Sequence, residues 1–515
     1  MADHFAVIDV GSNAMKFQVA VVDQPKRYRV VEQDRQAVRV GHNVFQTGHL
    51  DPAIAQAALK VLTDFKLVAE HYQVKAIQAV GTSALREASD GKLLIREAQR
   101  LGVPLQILSE EDEARLISLG IMSGLRFHLP LGLFLDIGGG SVEIAVANTT
   151  NVFCLFSLPL GAVRLTEELF TSDPPRKREV RYLRQFVRQK LRSVGQRLGQ
   201  EKYTMAFGSG GTMTALAETN IRVAGDGRNG SLSILRRTRL RALLELLIAI
   251  PAKERASLIS GDPKRADIIV AGGLVLYEFM SEIGLDYIFV SRRGLRDGLM
   301  IDLLQRHYEN SGVWDPDAER ADSLEQVCQK YLYDAPHAYH VNQLAINLFY
   351  QLNDVHKLPD KYSSILQAAA MLHDIGLFIA EPKHHKHSYY LIKSSGISSF
   401  DKLDLDVVAN IARYHRKAHP SQKHLGFSQL SPSNQDVVRK LSAILRIADA
   451  FDYRHDQKVT ALTCAMKRSK VITVTASGTG DIGDEIAWAS EKGELFEEVF
   501  NLKLAIQKAQ TGRDQ

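Results

Sequence analysis

Two stretches of the sequence join an aspartate to a glycine turn between apolar runs, and such a stretch could hold a phosphate. The first, residues 5–20, carries Asp9, and the second, residues 133–147, carries Asp136. Backbone N–H groups in a glycine turn can point at an anion, which approaches closely because glycine has no Cβ atom. One such stretch alone could be a plain hairpin, since short glycine motifs often match by chance. Its repetition predicts two similar lobes with a cleft between them, each presenting an aspartate and a glycine turn to one ligand.

Three further groups of residues could take part in chemistry. Arg86 follows the turn at Gly81 and is placed near the start of a helix, where the alternative is a surface ion pair. Residues 206–212 predict a strand-to-helix glycine turn able to contact phosphate or nucleotide. Glu113 is the last of four consecutive acids after Ser109, a pattern typical of a solvated first helical turn.

A predicted helix starting near residue 176 has one apolar and one basic face. The default interpretation of the basic face is a solvated surface, and the alternative is an anion site. The basic residues are Arg176, Lys177, Arg178, Arg181, Arg184 and Arg188.

Length and composition indicate a multidomain protein without a membrane span. The 515 residues exceed what one core holds and predict three or four domains. Cys154, Cys328 and Cys464 are isolated, which fits a reducing cytosol. Neither a signal peptide nor a run of ~20 uncharged apolar residues is visible, so we expect a cytoplasmic protein. A net charge of +5 with local clusters of Lys and Arg suits a polyanionic ligand and does not by itself indicate nucleic acid.

Strands and helices alternate over residues 5–305, which predicts an α/β architecture in both lobes. The polar residues 308–323 are predicted to form a linker. Residues 324–455 lack clear strands and hold most of the 17 histidines, which indicates a helical domain. In the tail, apolar and polar residues alternate at first, and a helix is predicted from about Leu495. This combination is typical of a small α+β module. The predicted domains are 1–126, 127–308, 309–456 and 457–515.

In this order, the motifs resemble the exopolyphosphatase / guanosine pentaphosphate phosphohydrolase family, a branch of the superfamily of actin, the sugar and acetate kinases and the heat-shock chaperone ATPases. The resemblance implies two ribonuclease-H-like lobes of the actin and sugar kinase type, and hydrolysis of a terminal phosphoanhydride. Long members add a helical HD-type domain and a small C-terminal domain. The motifs are Ile8–Asn13, Gly81–Ala88, Ser109–Leu116, Asp136–Glu143, Leu160–Leu165 and Ser291–Gly298.

The resemblance also implies a role for each matching residue. Glu113 matches the catalytic glutamate, although Glu110 stands where the family usually has glycine and Asp112 where it has the first glutamate. Arg86 matches the arginine that contacts substrate phosphate. The metal ligands fall on Asp136 and Glu143, with Asp9 as a further candidate. The phosphate loops fall on Gly11, Ser12 and Asn13 and on Gly138, Gly139, Gly140 and Ser141, and Gly208, Ser209 and Gly210 form the further glycine turn.

Phosphoanhydride cleavage needs an in-line water, a group that orients or deprotonates it, and cations on the phosphate oxygens. A glutamate pKa of about 4.3 would leave Glu113 ionised at neutral pH and able to accept a proton. Carboxylate ligands suit Mg²⁺, with Mn²⁺ as the alternative and K⁺ as a candidate monovalent cofactor. A kinase of the same superfamily would also have two lobes, but no acceptor-sugar site is visible, which favours hydrolysis.

The helical region contains a second constellation, which resembles the metal ligands of HD-type phosphohydrolases. Imidazole and carboxylate ligands suit Mn²⁺, Fe²⁺ or Zn²⁺. The alternatives are a domain that binds the substrate chain without metal, and a basic wall of histidines and lysines near residue 385. We expect this domain to bind long substrates and to make dimer contacts, as the resemblance implies. The residues are His337, His373, Asp374 and Asp449, with His387 and His415 at the positions of two extra ligands.

The sequence therefore predicts a cytoplasmic exopolyphosphatase that releases orthophosphate from the end of inorganic polyphosphate. We expect a homodimer, with neither membrane nor nucleic acid as a partner. One alternative is a guanosine pentaphosphate 5′-phosphohydrolase, which converts pppGpp to ppGpp by the same chemistry with a different leaving group. Another is a non-catalytic sensor of polyphosphate or alarmone.

Overall fold

In the computed structural model, the described part of the chain divides into two compact units. One unit holds the described residues up to Pro316, and the other holds those from Asp317 onward. None of the described helices is long and apolar enough to cross a membrane. The described residues are 3–24, 27–125, 129, 131–148, 151–199, 203–224, 232–259, 263–308, 316–395, 397, 400–467 and 470–509.

The first unit contains a five-stranded mixed sheet in which Asp9 lies near the end of a buried strand. Its strands are β1 Asp3–Val10, β2 Met15–Gln24, β3 Arg27–Gln36, β4 Ala76–Gly81 and β5 Leu105–Ile107. The strand order is β3-β2-β1-β4-β5, with β1 antiparallel to β2 and parallel to β4. Phe17 and Val19 alternate along β2 and are buried in the core beneath the sheet, as the period of two predicts.

A six-stranded sheet repeats this arrangement around Asp136. Its strands are β6 Gly132–Ile137, β7 Val142–Ala147, β8 Val152–Leu158, β9 Met205–Ser209, β10 Leu232–Arg236 and β11 Tyr287–Ser291. The order β8-β7-β6-β9-β11 matches the first sheet strand for strand, and β10 is added antiparallel at the edge. The predicted pair of similar α/β lobes is confirmed, and the shared order is that of ribonuclease-H-like lobes. The strands β8 and β10 were not predicted.

Helices cover both sheets of the first unit, and two of them begin at side-chain caps that the sequence predicts. Asp51 accepts hydrogen bonds from the first turn of one helix, and Ser109 accepts one from Asp112 at the start of another. The helices are α1 Val44–Thr47, α2 Pro52–His71, α3 Ser83–Glu87, α4 Gly91–Arg100, α5 Glu110–Met122, α6 Ala162–Leu169, α7 Lys177–Leu198, α8 Gly210–Ala224, α9 Arg237–Ala249, α10 Ala252–Leu258, α11 Ile269–Ile283 and α12 Leu295–His307.

The basic face of α7 is not simply a solvated surface. Arg184 and Arg188 both pair with the fully buried carboxylate of Glu278 on α11. An unpaired charge would be costly at that depth. The two arginines neutralise the charge of Glu278 and so allow α7 to pack on α11. Arg181 is exposed, in keeping with the solvated reading of the remaining face.

Among the described residues, the second unit contains helices and no strand between Asp317 and Ala450, which confirms the predicted strand-free region. Its helices are α13 Pro316–Lys330, α14 Ala335–Gln351, α15 Asn353–His356, α16 Tyr362–Leu372, α17 His384–Ser394, α18 Lys402–Arg413, α19 Leu425–Ser428 and α20 Pro432–Ala450. Residues 309–315 of the predicted linker lie outside the described residues. Residues 316–323 lie in the helix α13.

The tail ends in a strand, so the predicted terminal helix is wrong beyond residue 500. Asn501 adopts a left-handed conformation that ends the helix, and the half-buried Leu504 and Ile506 then alternate with exposed residues in a strand parallel to its neighbour. The elements are β12 Val459–Lys467, β13 Val471–Gly478, α21 Gly483–Lys492, α22 Glu494–Phe500 and β14 Lys503–Lys508.

Two glycines allow α5 to pack backbone-to-backbone on α12 and so set the position of Glu113. A Cβ atom on Gly120 would lie 2.0 Å from the carbonyl oxygen of Gly294, and one on Gly298 would lie 1.9 Å from that of Leu116. Side chains at either position would therefore force the two helices apart.

Gly298→Ala is expected to lower the free energy of unfolding by roughly 1–3 kcal/mol, because the carbonyl it meets cannot move independently of α5. The control is Gly195→Ala in α7, where the nearest atoms belong to the flexible Glu282 side chain and helix propensity favours alanine. Urea denaturation of both variants measures the difference. Equal midpoints would contradict the close helix packing.

Candidate functional site

A cleft of about 300 Å³ lies between the two glycine turns of the first unit. It brings together residues that are far apart in the sequence and belong to both lobes. The predicted site residues that line it are Asp9, Gly11, Ser12, Asn13, Glu113, Asp136, Gly138, Gly139 and Gly210.

The other predicted residues lie behind this lining. A Cβ atom on Gly208 would lie 1.8 Å from Met213 Cε, and one on Gly140 would lie 2.3 Å from Ser83 Oγ. For these two glycines, close packing explains the residue type without a phosphate contact. The remaining residues behind the lining are Arg86, Ser141, Glu143 and Ser209.

Asp136 is held at the end of β6 by its neighbours in the sheet. The hydroxyl of Ser209, opposite it on β9, donates to Asp136 Oδ1. Gly210 has φ +91°, and a Cβ there would lie 3.0 Å from the same oxygen. A glycine is therefore needed both for the turn and for the approach to the carboxylate. Asp136 remains partly open to the cleft, yet burial raises its pKa and the Ser209 hydrogen bond offsets part of that effect.

Glu143 lies directly across the hairpin from Asp136 and is almost completely buried. Burial raises the pKa of Glu143 well above its ordinary value, and the negative charge of Glu113 raises it further. Its position behind the cleft lining indicates a supporting carboxylate.

Asp9 is paired with a residue that the sequence interpretation did not single out. Lys16 lies opposite Asp9 in the first hairpin, and its Nζ is 3.1 Å from Asp9 Oδ2. The sequence contained a signal for this ion pair, because a lysine seven residues after the aspartate lies opposite it when the two strands form a hairpin. Further basic residues that line the cleft and were not predicted are Arg35, Arg265, Arg292, Arg293 and Arg296.

Glu113 lies in the first turn of α5 and is only 6% exposed. Arg86 donates to Glu113 Oε2 over 3.1 Å and to the carbonyl oxygen of Leu108 over 2.8 Å. Burial raises the pKa of Glu113 to about 7, although the positive charge of Arg86 lowers it in part. The ordinary pKa assumed from the sequence is therefore wrong, since the sequence did not show that this end of the acidic run is buried. A carboxylate with this pKa can both take and return a proton near neutral pH.

The carboxylates of the cleft suit a divalent cation that also binds phosphate. Asp9, Asp136 and Glu143 offer hard oxygen atoms. Burial raises the pKa of Asp136 and that of Glu143, and repulsion among the carboxylates raises both further. These three do not form a compact ligand set, since the groups of three close ligands found among the described residues all lie in the helical unit. Magnesium needs one or two carboxylates when phosphates supply the remaining oxygens, and Asp9 and Asp136 are the two on the cleft surface.

The short helix α3 connects the candidate base to the second glycine turn. Arg86 on α3 contacts Glu113, and the next residue, Glu87, accepts two hydrogen bonds of 2.6 and 2.7 Å from Arg164. Arg164 also donates to the Gly140 carbonyl oxygen over 2.8 Å and is largely buried. The two lobes are thus linked beside the cleft by a charge-assisted contact in which Arg164 Nη2 donates to both carboxylate oxygens of Glu87.

In the helical unit, the structure brings together the four residues predicted as a metal set. His337 Nε2 lies 3.2 Å from His373 Nε2, and Asp449 Oδ1 lies 3.7 and 3.5 Å from these two atoms. Asp374 Oδ2 is 3.6 Å from His373 Nε2. Burial opposes a charge on His337, but Asp449 and Asp452 outweigh it and raise its pKa to about 10. The cluster therefore favours a positive charge at its centre.

A second group of three ligands adjoins the first and corrects one predicted residue. His384 and His415 lie 3.2 and 3.5 Å from Asp374 Oδ1, whereas His387 belongs to none of the ligand groups found in the described chain. Lys383 has φ +62° and immediately precedes α17, so the first residue of the helix points into the cluster instead of the fourth. The sequence interpretation missed His384 because three histidines lie within four residues.

The chain matches the model of the Ppx/GppA phosphatase family over residues 19–307, and that of Ppx/GppA phosphatase domain III over residues 320–477. It belongs to the Ppx/GppA phosphatase family. A crystal structure of an Aquifex aeolicus family member is 25% identical with a TM-score of 0.51, and the match covers 60% of this chain and 99% of that one. Another study of the Aquifex aeolicus PPX-GPPA enzyme gives 26% identity and a TM-score of 0.50, covering 59% and 100% of the two chains.

An exopolyphosphatase from Cytophaga hutchinsonii has the same fold, with 24% identity, a TM-score of 0.55 and coverage of 59% of this chain and 98% of its own. The family assignment makes this Ppx/GppA chain a phosphatase, and it locates the matched core over both lobes. The predicted family is thereby confirmed.

Replacing Arg164 by methionine is expected to destabilise this Ppx/GppA phosphatase by about 1–3 kcal/mol, because the Gly140 carbonyl and the Glu87 carboxylate both lose a charged hydrogen-bond donor. The control is Arg181→Met, which removes an exposed arginine from α7. Thermal and urea unfolding would report the loss. If both variants unfold at the same midpoint, the contact between the lobes contributes nothing measurable.

Proposed function

We propose that the chain is an exopolyphosphatase, which hydrolyses the terminal phosphoanhydride bond of inorganic polyphosphate and releases orthophosphate. The observation that carries this proposal is a buried glutamate with a pKa of about 7 in a cleft lined by two matched aspartate–glycine turns. The similarity of fold to the Cytophaga hutchinsonii exopolyphosphatase supports it.

In this proposal, each lobe supplies part of the reaction geometry. The N–H groups around Gly11 and Gly138 bind the terminal phosphate, and Lys16 neutralises its charge. Glu113 orients a water molecule and takes its proton as the water oxygen bonds to phosphorus and the bond to the leaving oxygen breaks. Arg86 keeps Glu113 directed at the cleft through its 3.1 Å contact.

Asp9 and Asp136 are the residues we propose to hold Mg²⁺, with Glu143 supporting them from behind. When bound, the ion withdraws charge from the phosphate oxygens. Mn²⁺ as a substitute and K⁺ as a second cation stay predictions from the family resemblance, as does a homodimer.

The composition of the cleft favours polyphosphate over a guanine nucleotide. Among the described residues that line it there is no aromatic side chain on which a base could stack, whereas six are lysine or arginine. A chain of phosphates matches that charge along its length. Hydrolysis of pppGpp is the alternative, because the family name covers both activities.

We also propose that residues 317–456 form an HD-type domain, followed by a small α+β module. The convergence of His337, His373, Asp374 and Asp449 supports this assignment. In this proposal the domain extends the binding surface for long substrates, as the family resemblance implies.

Glu113→Gln is expected to reduce phosphate release from polyphosphate by about 10²–10⁴-fold, since removing a general base has effects of that size. Glu111→Gln is the control, because it lies in the same helical turn but is exposed. Colorimetric phosphate release measures both. Full activity of Glu113→Gln would exclude this base, and loss of activity with retained polyphosphate binding would exclude a purely sensory protein.

The pH profile of kcat/KM is expected to rise through pH 7 and then level, because Glu113 acts as the base only when ionised. Arg86 lowers the pKa of Glu113, so Arg86→Met is expected to move this rise to higher pH and Arg86→Lys to move it less. Profiles are recorded at saturating Mg²⁺. A rise that stays in place in Arg86→Met would contradict the proposed coupling.

Long polyphosphate is expected to be the better substrate, with kcat/KM at least about tenfold above that for pppGpp. The nucleotide has fewer phosphates to contact the basic cleft, and lost contacts worth about 1.4 kcal/mol lower kcat/KM tenfold. Side-by-side phosphate release at equal terminal-phosphate concentration gives the ratio. A ratio in favour of the nucleotide would make this chain a pppGpp phosphohydrolase.

A further inference from the structure

A fully buried carboxylate in the second lobe holds two arginines of α7 by one nitrogen each. Glu278 Oε1 accepts a hydrogen bond from Arg184 Nε, and Oε2 accepts one from Arg188 Nε. The Arg184 guanidinium also lies over the ring of Tyr277, with Cζ 5.2 Å from the ring centroid. These contacts fix both side chains from below.

The outer ends of the two arginines are available to another acceptor. Their side chains are 37% and 56% exposed, whereas that of Glu278 is 0% exposed. Nε is the innermost nitrogen of a guanidinium, so a bond at Nε leaves both terminal Nη groups as donors. Within the described part of the chain, the Nη groups of Arg184 and Arg188 make no hydrogen bond.

A recess of about 380 Å³ runs along this side of α7, and it is called the α7 recess below. Lys177 and Arg181 line it together with Arg184 and Arg188, and none of its described lining residues is acidic or aromatic. The spacings of four, three and four residues place the four cations on one side of the helix, over about 16 Å. Glu278 offsets one of the four charges, so an excess of positive charge remains.

The acidic residues close to the α7 recess are engaged elsewhere. Glu179 accepts hydrogen bonds from Thr171 and from the Arg176 N–H at the start of α7. Glu245 pairs with Arg241 over 3.1 Å on α9. No residue that lines the α7 recess also lines the cleft, so this surface is separate from the candidate active site.

We propose that the α7 recess is a second phosphate-binding site, which holds internal phosphates of a polyphosphate chain. A guanidinium fork matches a phosphate, and two forks already fixed by a buried carboxylate lose little freedom on binding. A row of cations without aromatic rings fits a chain of phosphates better than a nucleic acid, whose bases stack on such rings. The choice of polyphosphate rests on the function proposed for the cleft, whereas the anion site itself does not.

The test is the binding of long-chain polyphosphate to the full chain, measured by isothermal titration calorimetry in EDTA. Every protein carries Glu113→Gln so that the chain ends are not cleaved. Adding Lys177→Gln with Arg181→Gln is expected to weaken binding at least about tenfold, because two charged contacts are lost. Log Kd is also expected to depend less steeply on log salt concentration, since fewer counterions are released.

The matched control is Arg178→Gln with Lys253→Gln, which removes two exposed charges from the same lobe outside the α7 recess. This pair is expected to leave the affinity within about twofold. Equal losses in the two double variants would overturn the proposal. Tighter binding of a single-stranded oligothymidylate with the same number of phosphates would overturn the choice of polyphosphate.

Arg184→Lys with Arg188→Lys tests the role of the two forks, because it keeps the positive charges beside Glu278. Weaker polyphosphate binding by at least about threefold is expected, and unchanged affinity would overturn the role of the forks. Urea unfolding identifies a variant that fails to fold, and the exposed Lys177 and Arg181 pair then decides the question. Phosphate release by the unaltered chain is measured separately, so failure of the function proposed for the cleft is seen there and failure of the α7 site in the titrations.

Discussion

Burial of negative charge in the cleft is the constraint on which the catalytic unit depends. Glu113 and Glu143 are both nearly excluded from water, and Asp136 is enclosed enough for burial to raise its pKa. Such carboxylates are tolerated only where cations and hydrogen-bond donors compensate for the lost hydration. Arg86 and Lys16 provide part of that compensation, and a phosphate-bound cation would provide more. The same burial brings the pKa of Glu113 to the range in which a base can exchange protons at neutral pH.

The two lobes meet at positions where backbone approaches backbone. A Cβ atom on Gly139 would lie 2.8 Å from Cβ of Ser12 in the other lobe. Gly120 and Gly298 let α5 lie directly on α12. These approaches are short because glycine removes the side chain that would separate the elements. Arg164 adds a directional contact, since its guanidinium joins Glu87 of one lobe to Gly140 of the other. The distance between the base and the phosphate turn therefore depends on packing both at the cleft lining and behind it.

The two units place their charged groups according to different chemistry. The cleft presents oxygen ligands and backbone N–H groups, which suit magnesium and phosphate. The helical unit presents imidazoles whose tautomers are set by carbonyls one turn away, as with Ala370 and Ala412. Helical geometry causes this, because a carbonyl three residues before the histidine lies beside its ring. Imidazole nitrogens are softer ligand atoms than the carboxylate oxygens of the cleft.

Much of this protein could be predicted from its sequence because the information is local. The alternation around Asp9 and Asp136, their glycine turns and the cap at Ser109 each depend on a few neighbouring residues. Their repetition was enough to predict two lobes facing a cleft, and the order of the motifs was enough to predict the Ppx/GppA phosphatase family.

Tertiary structure decided what depends on burial and on helix phase. The pKa of Glu113 follows from packing of α5 against distant segments, which an acidic run cannot reveal. The packing roles of Gly140 and Gly208 depend on the side chains of Ser83 and Met213 that approach them. His384, and not His387, lies beside Asp374, because Lys383 turns the chain just before α17 and the first residue of that helix then points inward. The closing strand at Lys503 likewise formed because β13 offered an edge to pair with, which no local pattern specifies.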